Sequence, residues 1–252
     1  MSGEVRFLDG PMTPVVHALI EVSDALDPRP VVVGGLAVLS RLQRPYRATV
    51  DLDVVDRGSG KTPYLEVLRA TDGAKDAAPS GVFVQTPAGE VKVDVLAVNQ
   101  ADLDRPSDDA GDRLFASSHA WASDSASEMT LQVMTFSDEV LVVTDALIAE
   151  PGPLVAMKLQ AITDRGREKQ GTDLLDIVRL TLDAGTGPSV RRQIGEGPAD
   201  MRRDIGQHVT TWFRDQRVWS LDKVHASAGA DVGLEELDLV HDVLMESARG
   251  RT

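Results

Sequence analysis

The chain has 252 residues, a hydrophobic share of 42%, a charged share of 26% and a formal net charge of −14. It contains no cysteine, which excludes disulfides, thiolate metal sites and cysteine nucleophiles. Its longest apolar runs fall far short of a membrane span. Met1 to Arg6 lacks a basic flank leading into an apolar core, so we expect no signal peptide and a cytoplasmic location. The charge excludes a surface that is basic all over, but it is unevenly spread. Residues 101–150 hold 2 basic and 11 acidic side chains, against 10 and 13 in residues 1–100 and 14 and 16 in residues 151–252. A local basic cleft is therefore compatible with the sum.

Val15, Val16, Leu19, Val22, Ala25 and Leu26 recur at helical spacing and predict a helix over 13–26, stopped by Asp27-Pro28-Arg29-Pro30. Val31-Val32-Val33 reads as a short buried strand. Gly34-Gly35 turns the chain, and a helix is expected over Leu36 to Leu42. Thr49 to Val55 predicts a second strand whose apolar face is Val50, Leu52 and Val54. A helix over 63–71 follows, with Leu65, Val67 and Leu68 inward. Val82 to Thr86 and Glu90 to Val98 flank Pro87-Ala88-Gly89 and predict a hairpin. In its second arm Val91, Val93, Val95 and Ala97 share one face, and Lys92, Asp94 and Leu96 the other. Residues 101–128 are acidic and rich in Ser and Ala, and read as loop with one helix at most. Glu139 to Thr144 is a last strand.

The composition changes at Pro151-Gly152-Pro153. Helices are expected from Leu154 through Ala161, around Leu174 to Leu180, and over 199–218 and 233–248. The class is α+β: a mixed-sheet domain with flanking helices over 1–150, and a helical domain over 151–252.

Asp51 and Asp53 stand two apart on an apolar strand and so share a face. Like charges so close call for a cation between them, or for solvent over an exposed strand. Asp94, central in an apolar strand, is either the solvent side of an edge strand, with Lys92 beside it, or a third carboxylate brought to the pair by sheet pairing. Gly34-Gly35 is either a plain tight turn or a side-chain-free approach for phosphate at a helix N-terminus. Lys158 lies among Leu154, Val155, Met157, Leu159 and Ile162. It either snorkels to solvent or meets a phosphate. Asp173 and Asp176 are neighbours on one helix face, and Asp173 could also be an N-cap. Five histidines (17, 119, 208, 225, 241) show no metal spacing. There is no nucleophile-elbow serine and no Gly-Lys-Ser/Thr phosphate loop. Trp121, Trp212 and Trp219 read as core residues, with base stacking by Trp212-Phe213-Arg214 as the alternative.

In this order the pieces are strand, Gly34-Gly35, helix, Arg47-x-Thr49-x-Asp51-Leu52-Asp53, a later strand with Asp94, Lys158 on a helix, and Thr172-Asp173-x-x-Asp176. The set resembles the nucleotidyltransferases of the polymerase-β-like superfamily. It is most similar there to the AbiEii-type group, which includes toxins of type IV toxin–antitoxin systems and MenT-like toxins. The resemblance spans roughly residues 13–180. It implies that Gly34 and Gly35 hold a nucleoside triphosphate through backbone donors. Asp51, Asp53 and Asp94 would bind Mg²⁺ or Mn²⁺, with Asp94 also the base for the acceptor hydroxyl. Lys158 would contact phosphates, and Asp173, supported by Asp176, would lie near the nucleotide, so that the helical domain completes the nucleotide site. Arg47 and Thr49 would shape the metal strand. The wider superfamily usually has Gly-Ser where Gly34-Gly35 stands. The basic residue that often precedes the late aspartate is Thr172 here, for which Arg165, Arg167 and Lys169 can compensate.

The resemblance implies transfer of a nucleoside monophosphate from an NTP to a hydroxyl, with an RNA such as a tRNA 3′ end as acceptor and an antitoxin as partner. Arg41, Arg44, Arg47, Arg165, Arg167 and Lys169 are the candidate RNA contacts, and no membrane is involved. Nucleotidylation of a cationic small molecule such as an aminoglycoside is the second enzymatic expectation. A non-catalytic nucleotide-binding regulatory module is the third reading.

Overall fold

The computed structural model describes residues 3–58, 60–77, 79–164 and 166–250, without the side chains of Asp164, Arg167 and Glu168. Its contacts divide the chain into two compact units, Met1–Gln100 with His119–Glu150, and Ala101–Ser118 with Pro151–Thr252.

The first unit is built on an eight-stranded mixed sheet. Its strands are β1 (Gly3–Leu8), β2 (Val31–Val33), β3 (Asp51–Asp56), β4 (Lys75–Ala77), β5 (Gly81–Thr86), β6 (Gly89–Ala97), β7 (Ser127–Met134) and β8 (Val140–Ile148). The order across the sheet is β1-β7-β8-β2-β3-β6-β5-β4. β1/β7, β2/β8 and β3/β6 run parallel. The other neighbours, β2/β3, β4/β5, β5/β6 and β7/β8, run antiparallel.

Alternation along the strands separates two faces. Val32, Leu52, Val54, Val82, Val93 and Ile148 form one face and are inaccessible to solvent. Helix α1 (Met12–Ala25) buries Val15, Val16, Leu19 and Val22 at the i, i+3/i+4 spacing of one stripe. It packs across β8, β3, β6 and β5. Helix α2 (Gly34–Arg41) follows β2 directly, and α3 (Tyr64–Arg69) follows β3 after the connection 57–63. Asp56 closes β3 by accepting from the backbone N–H of Gly58 at 2.7 Å and of Tyr64 at 2.8 Å. It is therefore a turn carboxylate, and strand alternation sets it on the Leu52/Val54 side, away from Asp51 and Asp53.

Several elements differ from expectation. β3 starts at Asp51, and Val50 is 71% exposed and outside the apolar face. Residues 101–128 hold α4 (Gln100–Asp104), α5 (Ala110–Ser125) and the start of β7. β7 alternates buried Met129, Leu131 and Val133 with half-buried or exposed Glu128, Thr130 and Gln132. That period of two was legible, but the acidic, Ser/Ala-rich stretch before it obscured it. β1 is short and carries Glu4 and Arg6 on its exposed side, so it too is visible only through its pairing with β7.

The second unit is helical. Beside residues 101–118 it holds α6 (Pro151–Asp164), α7 (Arg167–Leu182), α8 (Gly187–Glu196), α9 (Ala199–Thr210), a π-helical turn (Thr211–Asp215), α10 (Arg217–Ala226) and α11 (Leu234–Arg249). Pro151 opens α6 at a position where a missing N–H costs nothing. The Glu236 carboxylate accepts from the Gly233 N–H at 2.8 Å and caps the start of α11. Leu154, Leu159, Leu174, Ile177, Ile205 and Phe213 are fully buried in this core. Arg113 of α5 is joined to the buried Asp204 of α9 by two hydrogen bonds of 3.0 and 2.7 Å. No helix among the described residues is long and apolar enough to cross a membrane.

Candidate functional site

The sheet unit gathers one acidic cluster. Asp51 and Asp53 flank Leu52 on β3 and project from the same face. β6 runs parallel beside β3 in a register that sets Asp53 opposite Asp94 and Asp51 opposite Lys92. Register partners on neighbouring strands project to the same side, so three carboxylates and one ammonium share a face. β6 lies between β3 and β5, which removes the edge-strand account of Asp94. Asp53 is buried at 7% exposure and the Asp94 side chain is 15% exposed, so neither is a freely solvated acid.

On its other side Asp53 pairs with Val33, the residue before the glycines. Gly34 begins α2 with φ +64°, a conformation that side chains disfavour. A Cβ there would also lie 2.6 Å from Asp53 Cγ. Both the backbone and the carboxylate therefore demand glycine. A Cβ on Gly35 would lie 2.9 Å from Thr49 Oγ1 and 3.3 Å from the Arg47 guanidinium. Thr49 Oγ1 in turn donates to Asp51 Oδ1 at 2.8 Å. The Arg47 guanidinium lies 5.8 Å from the Tyr46 ring centroid, and its NH1 donates to the Ala48 carbonyl at 3.1 Å. The structure thus brings Gly34, Gly35, Arg47, Thr49, Asp51, Asp53 and Asp94 together.

The electrostatics follow from that packing. Neighbouring strands are about 4.8 Å apart, so like charges on them repel unless a cation intervenes. Lys92 Nζ provides one, at 2.8 Å from Asp94 Oδ2. The N-terminus of α2 adds partial positive charge beside Asp53. Three carboxylates against one lysine are a hard-oxygen donor set that suits Mg²⁺ or Mn²⁺. As placed, the hydroxyl of Thr49 and the ammonium of Lys92 engage two of them. Among the described residues no three acidic or histidine side chains are grouped to hold one ion.

One residue of this cluster, Gly81, is not signalled by the sequence, and another, Lys92, has a different role from the one expected. A Cβ on Gly81, the register partner of Asp94, would lie 2.7 Å from Asp94 Oδ1, so the glycine makes room for the carboxylate. Lys92 had suggested an exposed strand face and instead holds Asp94. The Gly81 contact depends on register, which no local pattern reveals, whereas Lys92 and Asp94 are two apart on one strand and share a face. Of the candidate RNA contacts, Arg41 is committed elsewhere. It donates to the Ala149 and Ile148 carbonyls at 2.9 and 2.5 Å and pairs with Glu150 at 3.1 Å. Burial lowers its guanidinium from the ordinary value, and Glu150 opposes that. Arg44 and Lys169 are exposed, while Arg165 and the Arg167 side chain lie outside the described residues.

The helical unit holds a second cluster. Lys158 of α6 places Nζ 2.5 Å from Asp173 Oδ1 and 2.8 Å from Asp176 Oδ2, both on α7. The three side chains are 6%, 1% and 0% exposed. Lys158 therefore does not snorkel. Asp173 is no N-cap either, because α7 begins at Arg167 with Gly166 before it. The i, i+3 spacing of the aspartates turns both toward one lysine. Two buried acids share one buried cation, so the lysine is held from both sides. Of the tryptophans, Trp121, Trp212 and Trp219 are only partly buried, whereas Phe213 is wholly buried.

The sequence matches no protein-family model and no curated protein.

Proposed function

We propose that the chain is a nucleotidyltransferase of the polymerase-β-like superfamily. It would move a nucleoside monophosphate from an NTP to an acceptor hydroxyl, with the 3′ end of an RNA such as tRNA as acceptor. It would act as the toxin of a pair with a neutralising protein partner. The observation that carries this reading is the register that sets Asp94 beside Asp53, with Asp51 on the same face, Gly34 against Asp53 and Gly35 against Thr49 and Arg47. A divalent cation held by Asp51, Asp53 and Asp94 would supply Lewis acidity toward phosphoryl oxygens.

The chain's own residues have the remaining tasks. The backbone N–H groups that open α2 donate to phosphate oxygens, as helix N-termini do. Thr49 holds the Asp51 carboxylate by its 2.8 Å hydrogen bond, and Lys92 holds Asp94. The acceptor oxygen bonds to the α-phosphorus, the bond from α-phosphorus to the bridging oxygen breaks, and pyrophosphate leaves. The hydroxyl proton passes to Asp94. Lys158, Asp173 and Asp176 are closed on one another in a buried cluster, so this reading gives them no step in the transfer.

The test is incubation with each labelled NTP, Mg²⁺ and total RNA, read on a denaturing gel. Label should enter RNA with the wild-type chain and fall to background with Asp53→Asn, whose unfolding midpoint should match wild type. Transfer that survives in Asp53→Asn would sink the assignment. The acidic balance of −14 favours one further acceptor class, cationic aminoglycosides. An antibiotic panel in the same assay separates that reading from RNA.

A further inference from the structure

We propose that two copies of the chain associate through β1, whose free edge pairs antiparallel with the same strand of the second copy. β1 ends the sheet. Among the described residues no strand lies beyond it, and within the sheet unit β7 is the one element that packs extensively on it. Just past β1, the Asp9 N–H donates to the Met134 carbonyl of β7 at 2.8 Å. Backbone direction alternates along a strand, so the odd-numbered residues of β1 bond toward β7. Glu4, Arg6 and Leu8 therefore aim their N–H and C=O groups outward. An open edge of this kind is a template for a further strand.

The opposite edge of the sheet shows how such an edge is closed. β4 has three residues, and its Asp76 is paired with Arg69 at 2.7 Å. A short, charged strand resists edge-to-edge contact. β1 has six residues, and its charges alternate in sign. Glu4 and Arg6 stand on the exposed face, while Val5 and Phe7 are buried on the other.

That alternation names the occupant. Residues directly opposite in an antiparallel pair share a face. A two-fold axis between residues would set the buried face of one strand against the exposed face of the other. An axis at Glu4 or at Arg6 would set like charges opposite each other, which is unfavourable. An axis at Val5 sets Glu4 of each copy against Arg6 of the other. These are the residues whose backbone groups point outward, so each pair can exchange both of its N–H···O bonds. The same axis sets Phe7 against Gly3 and Val5 against itself, which keeps the buried face apolar across the junction. In the single chain Arg6 Nε bonds to Glu4 Oε1 at 2.9 Å, with the side chains 64% and 47% exposed. The second copy offers both groups the same chemistry across the axis. The strand is thus complementary to itself, as a two-fold interface requires.

Sedimentation velocity of the full chain from about 1 to about 100 μM tests the pairing, since an interface of this size is at the weak end of specific contacts. We expect a monomer–dimer transition in that range. Glu4→Arg and Arg6→Glu should each weaken the dimer about tenfold or more, because both cross-axis pairs become like-charged. An equimolar mixture of the two variants should dimerise as wild type does, since an all-Arg edge then meets an all-Glu edge. Both side chains are exposed, so the thermal midpoints should stay with wild type. The chain has no cysteine, so Val5→Cys introduces a single thiol that faces its own copy across the axis. Oxidation with diamide should give a covalent dimer on a non-reducing gel far faster from Val5→Cys than from Glu4→Cys, whose thiol faces Arg6. A chain that is monomeric at about 100 μM, a dimer indifferent to both charge variants, or a mixture of folded variants that stays monomeric overturns the pairing. Cross-linking through Glu4→Cys as fast as through Val5→Cys overturns it too. Transfer activity plays no part in these outcomes.

Discussion

Lys158 shows how one residue can read as functional or structural until its surroundings are known. Its ammonium is held by Asp173 and Asp176 in a dry environment. Removing the lysine strands two buried acids, a change that costs about 3–5 kcal/mol in comparable cases. We predict that Lys158→Met lowers the urea-derived stability by about that amount. The triple variant with Asp173→Leu and Asp176→Leu should recover most of it. A Lys158→Met chain as stable as wild type would show that the triad is not the ionic centre described. The comparison matters for activity assays, because loss of turnover in Lys158→Met is informative only at a temperature where the variant is folded. Asp53→Asn is nearly isosteric and does not share that problem. Gly34 belongs to the same scale, since its positive φ and its contact with Asp53 make the residue part of the acidic site.

Among the elements, the crossing of α7 and α10 is set by a single glycine. A Cβ on Gly171 would press on the Lys223 carbonyl, 2.9 Å from its carbon, and on Ser227 Oγ. Alanine favours an isolated helix over glycine by about 1 kcal/mol. Overpacking of this kind costs about 1–3 kcal/mol, and here the obstacle is backbone, which does not give way. Gly171→Ala should therefore be destabilised on balance, by about 1–2 kcal/mol in urea unfolding. A stabilised variant would mean that α7 and α10 sit farther apart. The same reasoning explains why the β3–β6 pair is the element that matters in the sheet unit. Parallel strands in register set residues side by side without a local turn to announce it.

For the whole molecule the relevant quantity is the net charge of −14, concentrated in residues 101–150. Self-repulsion of that size opposes the compact state and is screened by salt. Exposed ion pairs such as Arg203–Asp200 act the other way, but each is worth only about 0–1 kcal/mol. The thermal midpoint should rise as NaCl goes from about 10 to about 150 mM, where the Debye length falls from about 30 to about 8 Å. A falling midpoint would mean that the ion pairs outweigh the repulsion. Acid adds a smaller effect of known sign. Hydrogen bonds from Lys75 and Arg179 hold the Glu90 and Asp231 carboxyls below their ordinary values. Their contribution is present above the ordinary carboxylate pKa and is lost as pH falls through the lowered values.

Sequence alone was enough for whatever depends on short spacings. The period of two in Asp51-Leu52-Asp53 put both acids on one face, and the glycine pair marked the strand-to-helix turn. The hairpin arms and the helical character after Pro151 followed from the same local rules, and so did the i, i+3 pairing of Asp173 with Asp176. Tertiary structure alone decided that Asp94 lies beside Asp53, that Gly81 makes room for Asp94, and that Arg41 is tied to the β8 end. It also decided that Lys158 is buried rather than snorkelling, and that β1 stands at the edge of the sheet. The physical reason is common to all of these. A face is a property of a few consecutive dihedral angles, whereas register, burial and a strand's place in the sheet are properties of segments far apart in the chain that meet only when it folds.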